Sequence, residues 1–281
     1  MLPAGKKAIA KRVVHSTMVY NPRQHLLLVV GGNGFVGSNI LQRAVAKGIE
    51  VRSLNRSGKP EWGDQVPWVD KVDWVQGDVF SKADLAKAID GVTGVISTVG
   101  AFGSNEFMQK MCGDANIEVA RAAKECGVDR FVFVSESRVG SDIPTWAPLY
   151  GYFDGKARAE AAVTAHFPET GVCLRPGMIY GTRRVGNYLL PLQLIGAPLR
   201  FFGRDCGPVS SVLTRVPLVG GELLAAAPVG AVAKVSVLIA CALAITSIRQ
   251  AAVLGALGPA PGKILDTSSI LAFSESFHTM T

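Results

Sequence analysis

From residue 25 the chain alternates between short apolar runs and stretches whose apolar residues recur at helical spacing. His25–Val30 is a nearly continuous apolar run, as expected of a parallel strand buried on both faces. Val36, Ile40, Leu41 and Val45 then recur on one helical face up to Lys47, with Gly48 placed to cap the C-terminus. Val51–Leu54 and Val72–Val75 predict the next two strands. Ser81 with Asp84 three residues later predicts a capped helix start, as an imperfect capping box. Gly94–Val99 predicts a fourth strand, Asn116–Cys126 a helix closed by Gly127, and Phe131–Val134 a fifth strand. A helix running to about His166 and a strand at Gly171–Leu174 follow. Strands alternating with helices of this length predict the α/β class, with a doubly wound parallel sheet.

After Arg175 the pattern loosens. Gly181–Gly221 is rich in Gly, Pro and Arg and predicts a small substrate-side or docking region. Ala225–Ile245 is nearly all apolar, interrupted by Lys234 and Ser236. About 20 apolar residues suffice to span a bilayer, but Pro228, Gly230 and a mid-segment lysine favour a buried helix starting near Pro228. A last strand is expected near Lys263–Leu265.

At 281 residues, 48% hydrophobic and 18% charged, the chain can bury a sizeable core. Its charge is uneven. Residues 1–49 hold seven Lys/Arg and no acid, and the other 22 basic residues face 22 acidic ones, so the net +7 lies at the N-terminal end. Lys6, Lys7, Lys11, Arg12 and Arg23 precede the first strand. This stretch, residues 1–24, reads as a presequence remnant, as a basic arm for an anionic membrane or partner, or as a solvated tail. Nucleic acid is not an expected partner, because no aromatic-interleaved basic surface occurs elsewhere. The five cysteines (Cys112, Cys126, Cys173, Cys206, Cys241) form no Cys-x-x-Cys pair, and the four histidines are scattered, so no metal site is expected. The cysteines fit a reducing compartment.

The candidate chemistry starts in the turn Gly31-Gly32-Asn33-Gly34-Phe35-Val36-Gly37, between a predicted strand and a predicted helix. Glycines there let the backbone turn tightly and approach a pyrophosphate, which the helix N-terminus attracts. The doubly wound sheet is then a dinucleotide-binding Rossmann fold, with a core over residues 25–180 and residues 181–281 completing the same domain. An NAD-specific site usually has an acid at the end of its second strand. Here Asn55, Arg56 and Ser57 stand there, and Arg56 suits a 2′-phosphate, so NADP(H) is expected over NAD(H). Asp78, beside Val79, suits either an adenine amino group or a turn. Thr98, Val99 and Gly100 end the fourth strand, where the backbone would pass the nicotinamide ribose. Tyr152 and Lys156 lie four apart, on one helical face, so the ammonium can favour the phenolate needed for acid–base work.

These pieces occur in the order of a known family. The glycine turn, Gly77-Asp78, Asn116, Phe133-Val134-Ser135, Tyr152-x-x-x-Lys156 and the run Leu174 to Gly181 resemble the short-chain dehydrogenase/reductase superfamily, in its extended or atypical branch, over about residues 25–245. The chain looks most like three organellar groups of that branch. They are the plastoglobule Rossmann proteins of plant plastids, the yeast Rossmann protein of coenzyme Q biosynthesis, and the Rossmann accessory subunit of respiratory complex I.

The resemblance implies Tyr152 as general acid/base, Lys156 as its electrostatic support and ribose ligand, and a serine polarising the substrate carbonyl, Ser135 before Ser137. It places Pro176 at the cofactor. Asn116 would support a proton-relay water, although a structural role suits it better. Gly155 stands where many members carry serine, and with Gly151 is expected to loosen the helix bearing Tyr152. The function implied is an NADP(H)-dependent oxidoreductase of a lipophilic carbonyl or quinone/isoprenoid compound, in a mitochondrion or chloroplast and peripheral to a membrane. The alternatives are a non-catalytic NADPH-binding subunit of a membrane complex such as complex I, and an epimerase or dehydratase retaining its NAD(P).

Overall fold

Side chains along the central strands are buried on both faces, and this is what produced the unbroken apolar runs. A computed structural model of the protein describes residues 26–137, 139, 143–185, 188–191, 227–242, 263–266 and 268–270. The basic arm at 1–24, Cys206 and most of the Gly181–Gly221 region lie outside the described residues.

The elements follow in order: β1 (Leu26–Val30), α1 (Phe35–Ala46), β2 (Glu50–Asn55), β3 (Val72–Gln76), α2 (Lys82–Ile89), β4 (Gly94–Ser97), α3 (Asn105–Met108), α4 (Ala115–Glu125), β5 (Arg130–Val134), α5 (Tyr150–His166) and β6 (Gly171–Arg175). Then come β7 (Ile179–Tyr180), β8 (Thr182–Val185), β9 (Tyr188–Pro191), β10 (Ala227–Pro228), α6 (Val229–Ala242) and β11 (Lys263–Asp266). Seven strands make one sheet in the order β11-β6-β5-β4-β1-β2-β3, with every pair parallel. Two small sheets lie outside it, β7 with β10 and β8 with β9.

Alternate residues of each strand serve opposite layers. Leu27 and Val29 pack with Ile40, Leu41 and Ala44 of α1 and with Val232 and Val235 of α6. Leu28 and Val30 pack with Leu85, Val119, Ala159 and Val163 of α2, α4 and α5. The expected doubly wound parallel sheet is therefore the observed one. The apolar stretch after Pro228 is the buried α6, apolar round most of its surface apart from Lys234 and Ser236 because it packs on α1 and on the sheet. No helix among the described residues is long and apolar enough to cross a membrane.

The boundaries differ in two places that bear on the site. β4 ends at Ser97, which leaves Thr98–Gly100 as loop at the sheet edge, tied to the end of β1 by Thr98 N, which donates to Val30 O at 3.0 Å. The helix expected from Asn116 is the last part of a longer helical path. That path starts at Asn105, capped by Ser104 Oγ, which accepts from Phe107 N, and passes through a π-helical turn at Gln109–Asp114.

Candidate dinucleotide and substrate site

The strand order reverses between β1 and β4, and the crevice outside the carboxyl ends of these strands is where α/β sheets hold their ligands. The expected cofactor residues all stand along that edge. Gly31–Gly34 join β1 to α1 and Phe35–Gly37 open that helix, Asn55 ends β2 with Arg56 and Ser57 after it, Asp78 and Val79 follow β3, and Thr98–Gly100 follow β4. Ser135 follows β5, Pro176 follows β6, and Tyr152 and Lys156 sit in the first turns of α5.

The glycine turn is tight enough to exclude side chains. Gly31 has φ +87° and donates its N–H to Leu54 O at 3.0 Å. A Cβ at Gly32 would fall on Ser53 Oγ, and one at Gly37 on the Gly31 carbonyl oxygen. No side chain caps α1, and no acid stands in its first turn, so its N–H groups and positive dipole end suit an anion. The cradle therefore fits a dinucleotide pyrophosphate. Asn33 ties the turn to the end of β2. Its Nδ2 donates to Asn55 Oδ1 at 3.2 Å, Ser57 Oγ at 2.7 Å and Gly58 O at 3.0 Å, while its Oδ1 is buried with no hydrogen-bond partner. Arg56 and Ser57 are exposed beside it. Asp78 holds its own turn, accepting from Phe80 N at 3.0 Å.

The presentation of Tyr152 begins one turn earlier. Leu149 has φ +68°, a left-handed conformation uncommon for a residue of its size. Its carbonyl accepts from Tyr152 N at 3.0 Å and Phe153 N at 3.2 Å, which starts α5. The helix then runs unbroken to His166, so the glycines do not loosen it. They allow backbone contact instead. A Cβ on Gly151 would fall on Asn105 O, and one on Gly155 would lie 2.8 Å from Gly113 N in the π-helical turn.

Lys156 is buried (4% exposed). Its Nζ donates to Val134 O at 2.7 Å and Val99 O at 3.3 Å, and lies 5.9 Å from the centre of the Tyr152 ring. Burial pulls its pKa down to about 8, against the smaller opposing pull of Cys112, Glu136 and Glu160. Asn116 is fully buried and hydrogen-bonded through both ends of its side-chain amide. It accepts from Ser97 Oγ at 2.6 Å and donates to Cys112 O at 2.8 Å and Val99 O at 3.2 Å.

Beside Tyr152 lies a cavity of about 380 Å³. Its walls include Phe102, Ser135, Glu136, Phe153, Pro176 and Met178. Ser135 Oγ is buried there with no hydrogen-bond partner. Ser137 Oγ donates to Glu136 Oε1 at 2.8 Å. Three residues of the site had not been singled out in the sequence. Phe102 stacks on Tyr152, Glu136 brings a buried carboxylate into the wall, and Cys112 lies buried near Lys156 with its thiol pKa raised by burial. The adjacency of Glu136 to Ser135 was the one signal that could have found it. Among the described residues no cluster of His, Cys, Asp or Glu could hold a metal ion.

Residues 31–193 match the family model described as NAD(P)H-binding. The chain belongs to this NAD(P)H-binding Rossmann family. The matched span begins at the glycine turn and takes in the Tyr152–Lys156 helix. An uncharacterised chloroplastic protein of Arabidopsis thaliana is 41% identical over 186 residues, 65% of this chain and 60% of that protein. A 3-beta-hydroxysteroid dehydrogenase of Mycolicibacterium neoaurum is 32% identical over 180 residues, 55% of this chain and 48% of that protein. The mitochondrial protein fmp52 of Emericella nidulans is 29% identical over 191 residues, 66% of this chain and 77% of that protein. The match thus spans about half to three quarters of these relatives. Among solved structures, a UDP-glucose 4-epimerase of Thermotoga maritima superposes with a TM-score of 0.49 at 15% identity, over 64% of this chain and 63% of that one.

Proposed function

We propose that this protein is an NADP(H)-dependent oxidoreductase that reduces a lipophilic carbonyl or quinone-like compound inside an organelle. The observation that carries the reading is the cavity beside Tyr152. It joins a phenol, a buried unpartnered hydroxyl and mostly apolar walls at the carboxyl edge of a dinucleotide-binding sheet. An apolar substrate would enter with its carbonyl oxygen between Ser135 Oγ and the Tyr152 hydroxyl. Ser135 would donate a hydrogen bond to that oxygen, and Tyr152 would deliver the proton that completes the alcohol. When bound, the reduced nicotinamide supplies the hydride to the carbonyl carbon. Lys156 would stabilise the phenolate left on Tyr152 and bind the nicotinamide ribose. Arg56, with no acid beside it at the end of β2, supports NADP(H) over NAD(H).

The chloroplastic and mitochondrial relatives support an organellar location, and the basic stretch at 1–24 supports contact with an anionic membrane surface. Residues 25–180 would then form the cofactor core, with 181–281 completing the substrate side.

The test is NADPH oxidation against a panel of quinones and apolar carbonyls, with wild type and Tyr152→Phe. Turnover by wild type, lost at least a hundredfold in Tyr152→Phe, is the expected result. Turnover unchanged by that substitution would remove Tyr152 from the chemistry. Tight NADPH binding with no turnover across the panel would favour a non-catalytic cofactor-binding subunit.

A further inference from the structure

The first strand of the β8–β9 pair runs from Gly181, beside the cavity residue Ile179, toward the loop after β2. Two contacts define its path. At Gly181, a Cβ would fall against the Val229 side chain and lie 3.4 Å from the tip of the Phe35 ring, so the chain here runs between the start of α6 and the side chain of the first residue of α1. Three residues later, the Arg184 guanidinium sits 5.1 Å above the centre of the Trp62 ring. Trp62 belongs to the short helical turn Glu61–Gln65, which follows the loop Arg56-Ser57-Gly58 that Asn33 holds against the glycine turn. An extended strand covers roughly 10 Å in three residues. The span from Gly181 to Arg184 therefore bridges the pyrophosphate turn and the flank of the β2 loop, the two sides between which the adenosine half of a dinucleotide lies.

We propose that the segment Gly181–Arg184 is a strap over the bound dinucleotide, and that Arg184 is a cofactor ligand that contacts a phosphate of its adenosine half. The cation–π contact with Trp62 favours this position of the guanidinium before the cofactor arrives, so less side-chain entropy is lost when it meets the anion. Of the two acids in the turn that carries Trp62, Glu61 and Asp64, Asp64 is already engaged by Lys59 at 2.9 Å. Successive strand residues take opposite faces, so Arg183 points away from Trp62 and serves as the internal control. The inference deepens the dinucleotide reading and rests on it.

The experiment measures dissociation constants for NADPH and NADH at one fixed salt concentration, on wild type, Arg184→Met, Arg183→Met, Arg56→Met and Trp62→Leu. Circular dichroism confirms that each variant is folded. Arg184→Met is expected to weaken binding tenfold or more, Trp62→Leu to weaken it severalfold, and Arg183→Met to stay within twofold. A loss confined to NADPH identifies the 2′-phosphate as the partner, whereas an equal loss for both dinucleotides identifies the pyrophosphate. Arg184→Met matching wild type with both dinucleotides, while Arg56→Met loses affinity, would overturn the strap and leave the cofactor site standing. A folded wild-type protein that binds neither dinucleotide would end both readings.

Discussion

Phe102 lies flat on Tyr152, with ring centres 5.0 Å apart and planes 16° from parallel. It is 71% exposed, so the core does not hold it there. Its stacking gives the exposed side of the phenol an apolar cover at the mouth of the cavity, beside a loop that carries the β4 end of the site.

Phe102→Ala should therefore separate folding from function. An aromatic pair contributes about 0.5–1.5 kcal/mol beyond area burial, and at this exposure the stability loss should fall at the low end. The expected outcome is a thermal midpoint lowered by no more than about 3 °C, with KM for an apolar substrate raised about tenfold. A KM that does not move would detach Phe102 from substrate binding.

Lys156 sets a pH signature. Its folded pKa of about 8 lies below the value near 10.4 of an unfolded lysine. Between these values the unfolded chain binds more protons than the folded one, so stability must rise with pH across that window. Below about pH 8 the cost of burying the ammonium is present in full. Urea midpoints of the protein without cofactor should climb from pH 8 to 10, and Lys156→Met should abolish that climb. The variant should also be more stable than wild type at pH 7 by about 1–3 kcal/mol. A flat or falling wild-type profile would contradict the buried ammonium.

Gly155 reverses an expectation drawn from family resemblance. A serine here, as the resemblance led one to expect, would place a Cβ 2.8 Å from Gly113 N and 3.2 Å from Cys112 Cβ. Gly155→Ser should destabilise the protein by about 1–3 kcal/mol, the usual cost of overpacking, and should lower cofactor affinity as α5 shifts. Chemical denaturation with and without NADPH measures both effects. A gain in stability would show that α5 can move away from the π-helical turn without loss.

How much of this site was legible in the sequence depended on the range of the interactions involved. The glycine turn and the Tyr152–Lys156 pair are local patterns, and each landed where strand and helix periodicity put it. The acid-free end of β2 was likewise readable. The start of the helical path at Asn105 was not, because Gly113 reads as a break. Its place in the helix is fixed by contact with Gly155, far along the chain, and tertiary contact outweighs propensity there. Leu149 gave no local sign of its left-handed backbone. Phe102 and Glu136 became site residues only because α5 folds back onto the ends of β4 and β5.

Ser135 offers the sharpest separation of stability from activity. Its hydroxyl is buried in the cavity wall with no hydrogen-bond partner, and such a group costs a protein about 1–3 kcal/mol. Replacing it with alanine removes that cost and leaves only a small void. Ser135→Ala should then match or exceed wild type in stability, by up to about 1 kcal/mol. If the hydroxyl donates to the substrate oxygen, the same change should lower kcat by about 100-fold or more, as the loss of one preorganised donor does elsewhere. Cofactor affinity should hold, since Ser135 acts on the substrate side. Denaturation, NADPH titration and turnover of the three-way comparison with Ser137→Ala read these effects separately. A stability loss above about 1 kcal/mol would mean that the hydroxyl has a partner in solution. Unchanged kcat in Ser135→Ala with a fall in Ser137→Ala would transfer the role to Ser137.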